Sequence, residues 1–185
     1  MSCCAKRSDN YILVGYMAAG KSTVGKLLAD RLNEMNLQAT YEYADTDAYI
    51  VETEGMEINQ IFAEQGEDAF RKMETACLKE LLKKNHRIIA TGGGIVLSDY
   101  NRFILVDAGC TIFLRAKDST VISRVSNDTT RPLLADKAGL EEKVRTMQSK
   151  RRPVYEEVAD YIIDVDDKTP DEIVDEILRR TKGNY

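Results

Sequence analysis

Nine residues, Gly15-Tyr16-Met17-Ala18-Ala19-Gly20-Lys21-Ser22-Thr23, hold two glycines five positions apart, the second followed by Lys and Ser. That spacing is the phosphate-loop pattern. Backbone N–H groups of Ala18, Ala19, Gly20, Lys21, Ser22 and Thr23, at the start of a helix, can cradle a polyphosphate. The Lys21 ammonium would reach the terminal phosphates, and the Ser22 hydroxyl would take a place on Mg2+. The implied chemistry is phosphoryl handling, and the implied ligand is a nucleotide, ATP.

Other groups could complete such a site. Asp45-Thr46-Asp47 sets two carboxylates one residue apart; the competing reading is a solvated turn whose Asp or Thr caps the next helix. Gly92-Gly93-Gly94 costs chain entropy unless backbone must approach a ligand closely. Arg71 and Glu74 stand one helical turn apart. On spacing alone they form a surface ion pair worth under about 1 kcal/mol. Arg124 and Arg131 flank or enter the polar stretch from Asn127 to Gly139, whose length and lack of periodicity suggest a lid. His86, the one histidine, follows lysines at a helix end, where a solvated partner of the helix dipole is expected.

The elements that must position these groups follow from periodicity. Tyr11 to Val14 is a short apolar run, as a buried parallel strand should be. Val24, Leu27, Leu28 and Leu32 recur at helical spacing behind the loop. Gln38 to Ala44 reads as a second strand ending at Asp45. Ile58 to Asn85 is helical, with a break expected at Gly66. Arg87 to Thr91 forms a third strand that runs into the glycines. Phe103 to Asp107 looks like a metal-organising strand, but Cys110 to Arg115 follows too closely for a parallel crossover. Asp99 to Val106 is therefore read as a short helix capped by Ser98, which leaves the metal role to Asp45. Asp118 to Ser126 is helical. Leu140 to Lys150 is helical too, with an interruption at Lys150 to Pro153 before Val154 to Ala159 resumes. Tyr161 to Val165 is the last strand, and Pro170 to Leu178 marks a closing amphipathic helix. Asp164, Asp166 and Asp167 lack calcium-loop spacing and read as a solvated strand end. Five strands alternating with helices predict an α/β domain with a parallel sheet.

Composition narrows the function classes. A chain of 185 residues is expected to be one domain. Its net charge of -5 argues against a nucleic-acid partner. No apolar run is long enough to cross a membrane, so a cytoplasmic protein is expected. Cys3, Cys4, Cys77 and Cys110 show neither disulfide density nor metal spacing, which suits a reducing compartment.

Taken in order, Gly15 to Thr23, Asp45 to Asp47, Phe70 to Glu74, Gly92 to Gly94, Arg131 to Leu134 and Arg151 to Glu156 resemble the shikimate kinases over nearly the full chain. These belong to the nucleoside-monophosphate-kinase branch of phosphate-loop proteins. The resemblance implies a three-layer α/β/α kinase with a five-stranded parallel sheet. It also implies a substrate-binding part at about residues 46–85 and a lid at about 124–139. It places Arg71 and Arg151 on the carboxylate of shikimate, where guanidinium forks suit bidentate bonds. Asp47 would orient the attacking hydroxyl, Gly92, Gly93 and Gly94 would line the pocket, and Phe62 and Phe70 would wall it. Ser22, and Asp45 through water, would hold Mg2+. Lys21 and Arg131 would surround the transferring phosphoryl group, with Arg124 and Lys168 beside the adenine. The product would be shikimate 3-phosphate, from a monomeric enzyme. Two positions depart from the family pattern. Ala18 replaces a common glycine, which is harmless if its φ is negative, and Lys168 stands where arginine is often found. The rivals are another small-metabolite kinase, such as a gluconate kinase, and a non-catalytic nucleotide-binding regulatory domain.

Overall fold

Each strand ends where a loop must meet the ligand, and the sheet order brings those ends together. In the computed structural model, residues 8–35, 39–126 and 139–181 are described. The elements are β1 (Tyr11–Val14), α1 (Lys21–Glu34), β2 (Glu42–Asp45), α2 (Thr46–Glu54), α3 (Ile58–Leu81), β3 (Arg87–Ala90), a 3-10 turn (Ile95–Leu97), α4 (Asp99–Asp107), β4 (Cys110–Arg115), α5 (Asp118–Ser126), α6 (Leu140–Val158), β5 (Tyr161–Asp164) and α7 (Pro170–Thr181). The five strands lie in the order β2-β3-β1-β4-β5, and every pairing is parallel. Alternate residues feed opposite faces, as strand geometry requires. Tyr11, Leu13, Ile112, Leu114 and Ile163 pack with α1, α5, α7 and the start of α6. Ile12, Val14, Ile89 and Phe113 pack with α2, α3, α4 and the end of α6. This is the three-layer α/β/α arrangement the alternating pattern predicts.

Register sets the site. Asp45 is paired with Ala90, so β2 and β3 end side by side. The Thr91 hydroxyl donates to the Leu13 carbonyl at 3.0 Å, tying the end of β3 to the end of β1. The phosphate loop, the Asp45–Asp47 segment and the glycine tract therefore open together at the carboxyl ends of β1, β2 and β3, where ligands of parallel α/β sheets bind.

Several expectations need correction. The second strand starts at Glu42 rather than at Gln38, which lies outside the described residues. Helix α6 runs through Lys150–Pro153 without a break and keeps Pro153 inside it. Its packing on β4, on α5 and on the 3-10 turn offsets the hydrogen bond the proline cannot make. His86 is not merely solvated: its φ is 60°, and its ring meets Tyr41 edge-on at 5.4 Å. Asp164 does lie at an exposed strand end, as expected, but it and Asp166 also have structural partners. Asp164 takes Arg115 in a fork at 2.6 and 2.9 Å, and Asp166 accepts from the Lys117 N–H at 3.0 Å. The Arg115 fork holds the Asp164 carboxyl below its usual range. The break at Gly66 (φ 83°, ψ 172°) is as expected, and the Ser98 side chain caps α4 by accepting from the Asn101 N–H.

Candidate active site

In the phosphate loop the backbone does the shaping. Gly15 (φ +146°) leaves β1 so close to β4 that a methyl would stand 2.6 Å from the Leu114 carbonyl. Gly20 (φ +93°) turns the chain into α1. Lys21 is buried at 9% exposure and donates to the carbonyls of Gly15 and Tyr16, 2.8 Å each. It is thereby folded back along its own loop. Ala18 has φ +59°. The condition for a harmless replacement fails, and the methyl sits in the left-handed region that favours glycine. The Arg124 guanidinium donates to the Ala18 carbonyl at 2.9 Å, which puts it beside the loop. Lys168 donates to the Asp164 carbonyl at 2.8 Å and pairs with Glu176 at 2.7 Å. Arg131 lies outside the described residues.

Opposite the loop, side chains from three helices converge on the glycine tract, and each glycine has its own neighbour. A methyl at Gly92 would stand 2.5 Å from Asp47 Oδ1 and 2.8 Å from Glu74 Oε1. One at Gly94 would overlap the Arg71 guanidinium. One at Gly93 would come within 3.4 Å of the Met17 amide nitrogen, in the phosphate loop itself. The Gly93 carbonyl accepts from Arg151 Nη1 at 3.1 Å and from the Tyr155 hydroxyl at 2.6 Å. The Gly92 N–H donates to the buried Thr46 hydroxyl at 2.8 Å. Asp47, Arg71, Arg151 and the loop are thus brought to one strip of backbone.

The Arg71–Glu74 pair is no surface pair. Glu74 is 1% exposed, and its Oε2 takes Arg71 Nη1 at 2.5 Å. The other face of Arg71 is held by Glu67 at 2.8 and 3.2 Å. Burial pushes the Glu74 carboxyl above its usual range, against the pull of Arg71 and with a push from Asp47. Glu74 Oε1 is buried with no hydrogen-bond partner, which a ligand hydroxyl there would satisfy. Phe70 is buried, its ring lies 4.7 Å from that of Phe62, and the guanidinium of Arg71 rests 5.5 Å over it. Two of the five donors of a guanidinium stay unengaged on Arg71, enough for a carboxylate fork.

The capping reading of Asp45 holds, and the cap leaves its second oxygen facing Ser22. Its Oδ1 caps α2 by accepting the N–H groups of Asp47 and Ala48, at 3.0 and 3.3 Å. Its Oδ2 accepts from the Ser22 hydroxyl at 2.8 Å and from the Tyr43 hydroxyl at 3.0 Å. The cap orients the carboxylate toward Ser22. The donor set is all oxygen, which suits a hard cation such as Mg2+, and so small a protein share fits an ion that keeps waters and phosphates. No group of three His, Cys, Asp or Glu able to hold a metal occurs among the described residues. Burial, reinforced by Asp45 and Asp47, pushes the Tyr43 phenol up, so it stays a donor.

Tyr43, Tyr155 and Thr46 were not legible as site residues. Each acts through a hydroxyl that only the folded chain aims. Tyr155 is the exception in part, since it follows Arg151 by one helical turn and so shares its face.

A phosphate loop that faces two acids and two arginines across a glycine tract defines a phosphate-loop kinase for a small anionic acceptor. The shikimate kinase family model matches residues 17–182. The shikimate kinase of Streptococcus gordonii is 42% identical over 170 residues, 91% of this chain and 97% of that protein. That of Thermodesulfovibrio yellowstonii is 38% identical over 170 residues, 92% and 93% of the two chains. The solved structure of shikimate kinase from Acinetobacter baumannii in complex with shikimate superposes with a TM-score of 0.87 at 34% identity, covering 97% of this chain and 96% of that one. The chain belongs to the shikimate kinase family and is an ATP-dependent kinase. A gluconokinase from Sinorhizobium meliloti, at 18% identity and a TM-score of 0.56, shares the fold alone.

Proposed function

We propose that the chain transfers the γ-phosphoryl group of ATP to the 3-hydroxyl of shikimate, giving shikimate 3-phosphate and ADP. The observation that supports this most is the convergence of Asp47, Arg71 and Arg151 on Gly92–Gly94, with Gly93 against the phosphate loop. Arg71, braced by Glu67 and Glu74, and Arg151, braced by the Gly93 carbonyl, would grip the ring carboxylate. Asp47 would orient the attacking hydroxyl. Lys21 would turn from its loop carbonyls to the phosphates, and backbone from Ala18 to Thr23 would cradle them. Ser22 and Asp45 would hold Mg2+, which when bound neutralises charge on the transferring group. Arg131 would cover that group, and Arg124 and Lys168 would flank the adenine.

The reading includes a monomer in the cytoplasm. The free thiols of Cys77 and Cys110 suit a reducing compartment, and no helix among the described residues is long and apolar enough to cross a membrane. ADP release measured with shikimate, gluconate and nucleoside monophosphates in turn tests the acceptor. Turnover is expected with shikimate alone, and its absence there would sink the proposal.

A further inference from the structure

Tyr43 belongs to no motif, yet its hydroxyl reaches the carboxylate that serves the metal. Its ring lies against α1: a methyl at Gly25 would stand 2.8 Å from its Cε2 and 3.2 Å from its Cδ2. Gly25 is one turn beyond Ser22, so the ring is wedged beside the first turn of that helix. From there the phenol donates to Asp45 Oδ2 at 3.0 Å, and the Ser22 hydroxyl donates to the same oxygen at 2.8 Å. The other oxygen is taken by the N–H groups of Asp47 and Ala48. A carboxylate offers about four lone-pair sites. Every one on Asp45 is in use.

A water of a bound cation can therefore reach Asp45 only if a donor yields. The Asp47 and Ala48 N–H groups are fixed in α2. Ser22 can go on donating its proton to Asp45 while a lone pair of its own oxygen faces the cation. The Tyr43 hydroxyl is the one donor of the four that is neither an α2 N–H nor the Ser22 hydroxyl, so it is the one whose share of Oδ2 a water must take. We propose that Tyr43 competes with the hydration shell of Mg2+ for Asp45, so that its hydroxyl weakens metal binding at the donor site. Tyr43 is a positioning residue that acts through Asp45. The inference rests on the placement of the metal at Ser22 and Asp45.

Tyr43→Phe removes the hydroxyl and keeps the wedged ring. Calorimetric binding of ADP to the full chain, with and without Mg2+, gives the factor by which metal strengthens ADP binding. That factor is expected to rise about 3- to 10-fold in the variant, the span of one net hydrogen bond. With Mn2+ as probe and ADP saturating, the free-ion resonance signal should fall in step. A phenol that only stabilises the fold would lower the melting temperature and leave the factor unchanged, which overturns the inference. A lower factor overturns it too, since the hydroxyl would then aid the metal. Asp45→Asn separates the two layers. If that variant leaves the factor unchanged, the metal placement itself fails. If it lowers the factor while Tyr43→Phe does not move it, only the competition fails.

Discussion

The proposed donor and acceptor halves of this site meet at Gly93 and are built by different means. The donor half is built around one continuous segment, Gly15 to Thr23, in which backbone carbonyls hold Lys21. The acceptor half gathers Asp47 from α2, Arg71 with its two acids from α3, Arg151 from α6 and the three glycines after β3. There, charged side chains are held by other charged side chains, as in the Glu67–Arg71–Glu74 group. The difference teaches how each half should respond to damage. A loop shaped by its own backbone tolerates a distant change, and its lysine can exchange neutral carbonyls for a phosphate. An assembly of interlocking ions cannot lose one member without stranding another.

The largest effect should come from Arg71→Ala. Acceptor binding is expected to weaken by about 2–5 kcal/mol, the range for unpairing a buried charge, or roughly 30- to 5,000-fold. The change also strands Glu74, so the melting temperature should fall. Adding Glu74→Gln should restore part of that stability and none of the acceptor affinity. ATP affinity, measured by titration calorimetry, should stay put in both variants. If ATP binding collapses while acceptor binding survives, the division into two halves is wrong.

A methyl scan of the glycine tract should locate the seam between the halves. Gly94→Ala drives a methyl into the Arg71 guanidinium. The displacement should cost about 1–3 kcal/mol, as overpacking does, seen as an acceptor KM raised roughly 5- to 150-fold. Gly93→Ala places its methyl 3.4 Å from the Met17 nitrogen, a tight contact but not an overlap. Its effect should stay within about threefold and fall on the KM for ATP. Equal effects of the two substitutions on the acceptor would mean that the tract moves as one piece.

The same contrast explains what the sequence made legible. The donor half was readable because its function lies in consecutive residues, with the strand and helix that must flank them visible from periodicity. The two core faces were readable from the strands' apolar runs and the amphipathic helices. Strand order was not, because no local pattern says that β2 lies beside β3. Burial was the harder loss. Arg71 and Glu74 one turn apart look like any exposed pair until α3 is packed, and only then is Glu74 nearly inaccessible. Pro153 suggested a break in α6, since local propensity argues against a mid-helix proline, and packing overrode it. The hydroxyls of Thr46 and Tyr155 have targets on another segment, whereas Tyr43 reaches Asp45 two residues along its own strand, a same-face spacing that carries no motif.

The smallest effect is the most direct check on the donor half. Ala18 is held at φ +59°, where a side chain costs about 1–2 kcal/mol relative to glycine. Glycine would also loosen the unfolded chain, giving back about 0.4–1 kcal/mol. Ala18→Gly should therefore stabilise the protein by about 0.5–1 kcal/mol, and for a chain of this size raise the melting temperature by about 1–4 °C. The carbonyl that accepts from Arg124 is kept. Acceptor affinity should not change. A fall in melting temperature would mean that the alanine methyl contributes more through packing against Met17 and its neighbours than its backbone conformation costs. The loop would then be held by side-chain contacts as well, and the contrast with the acceptor half would shrink to one of degree.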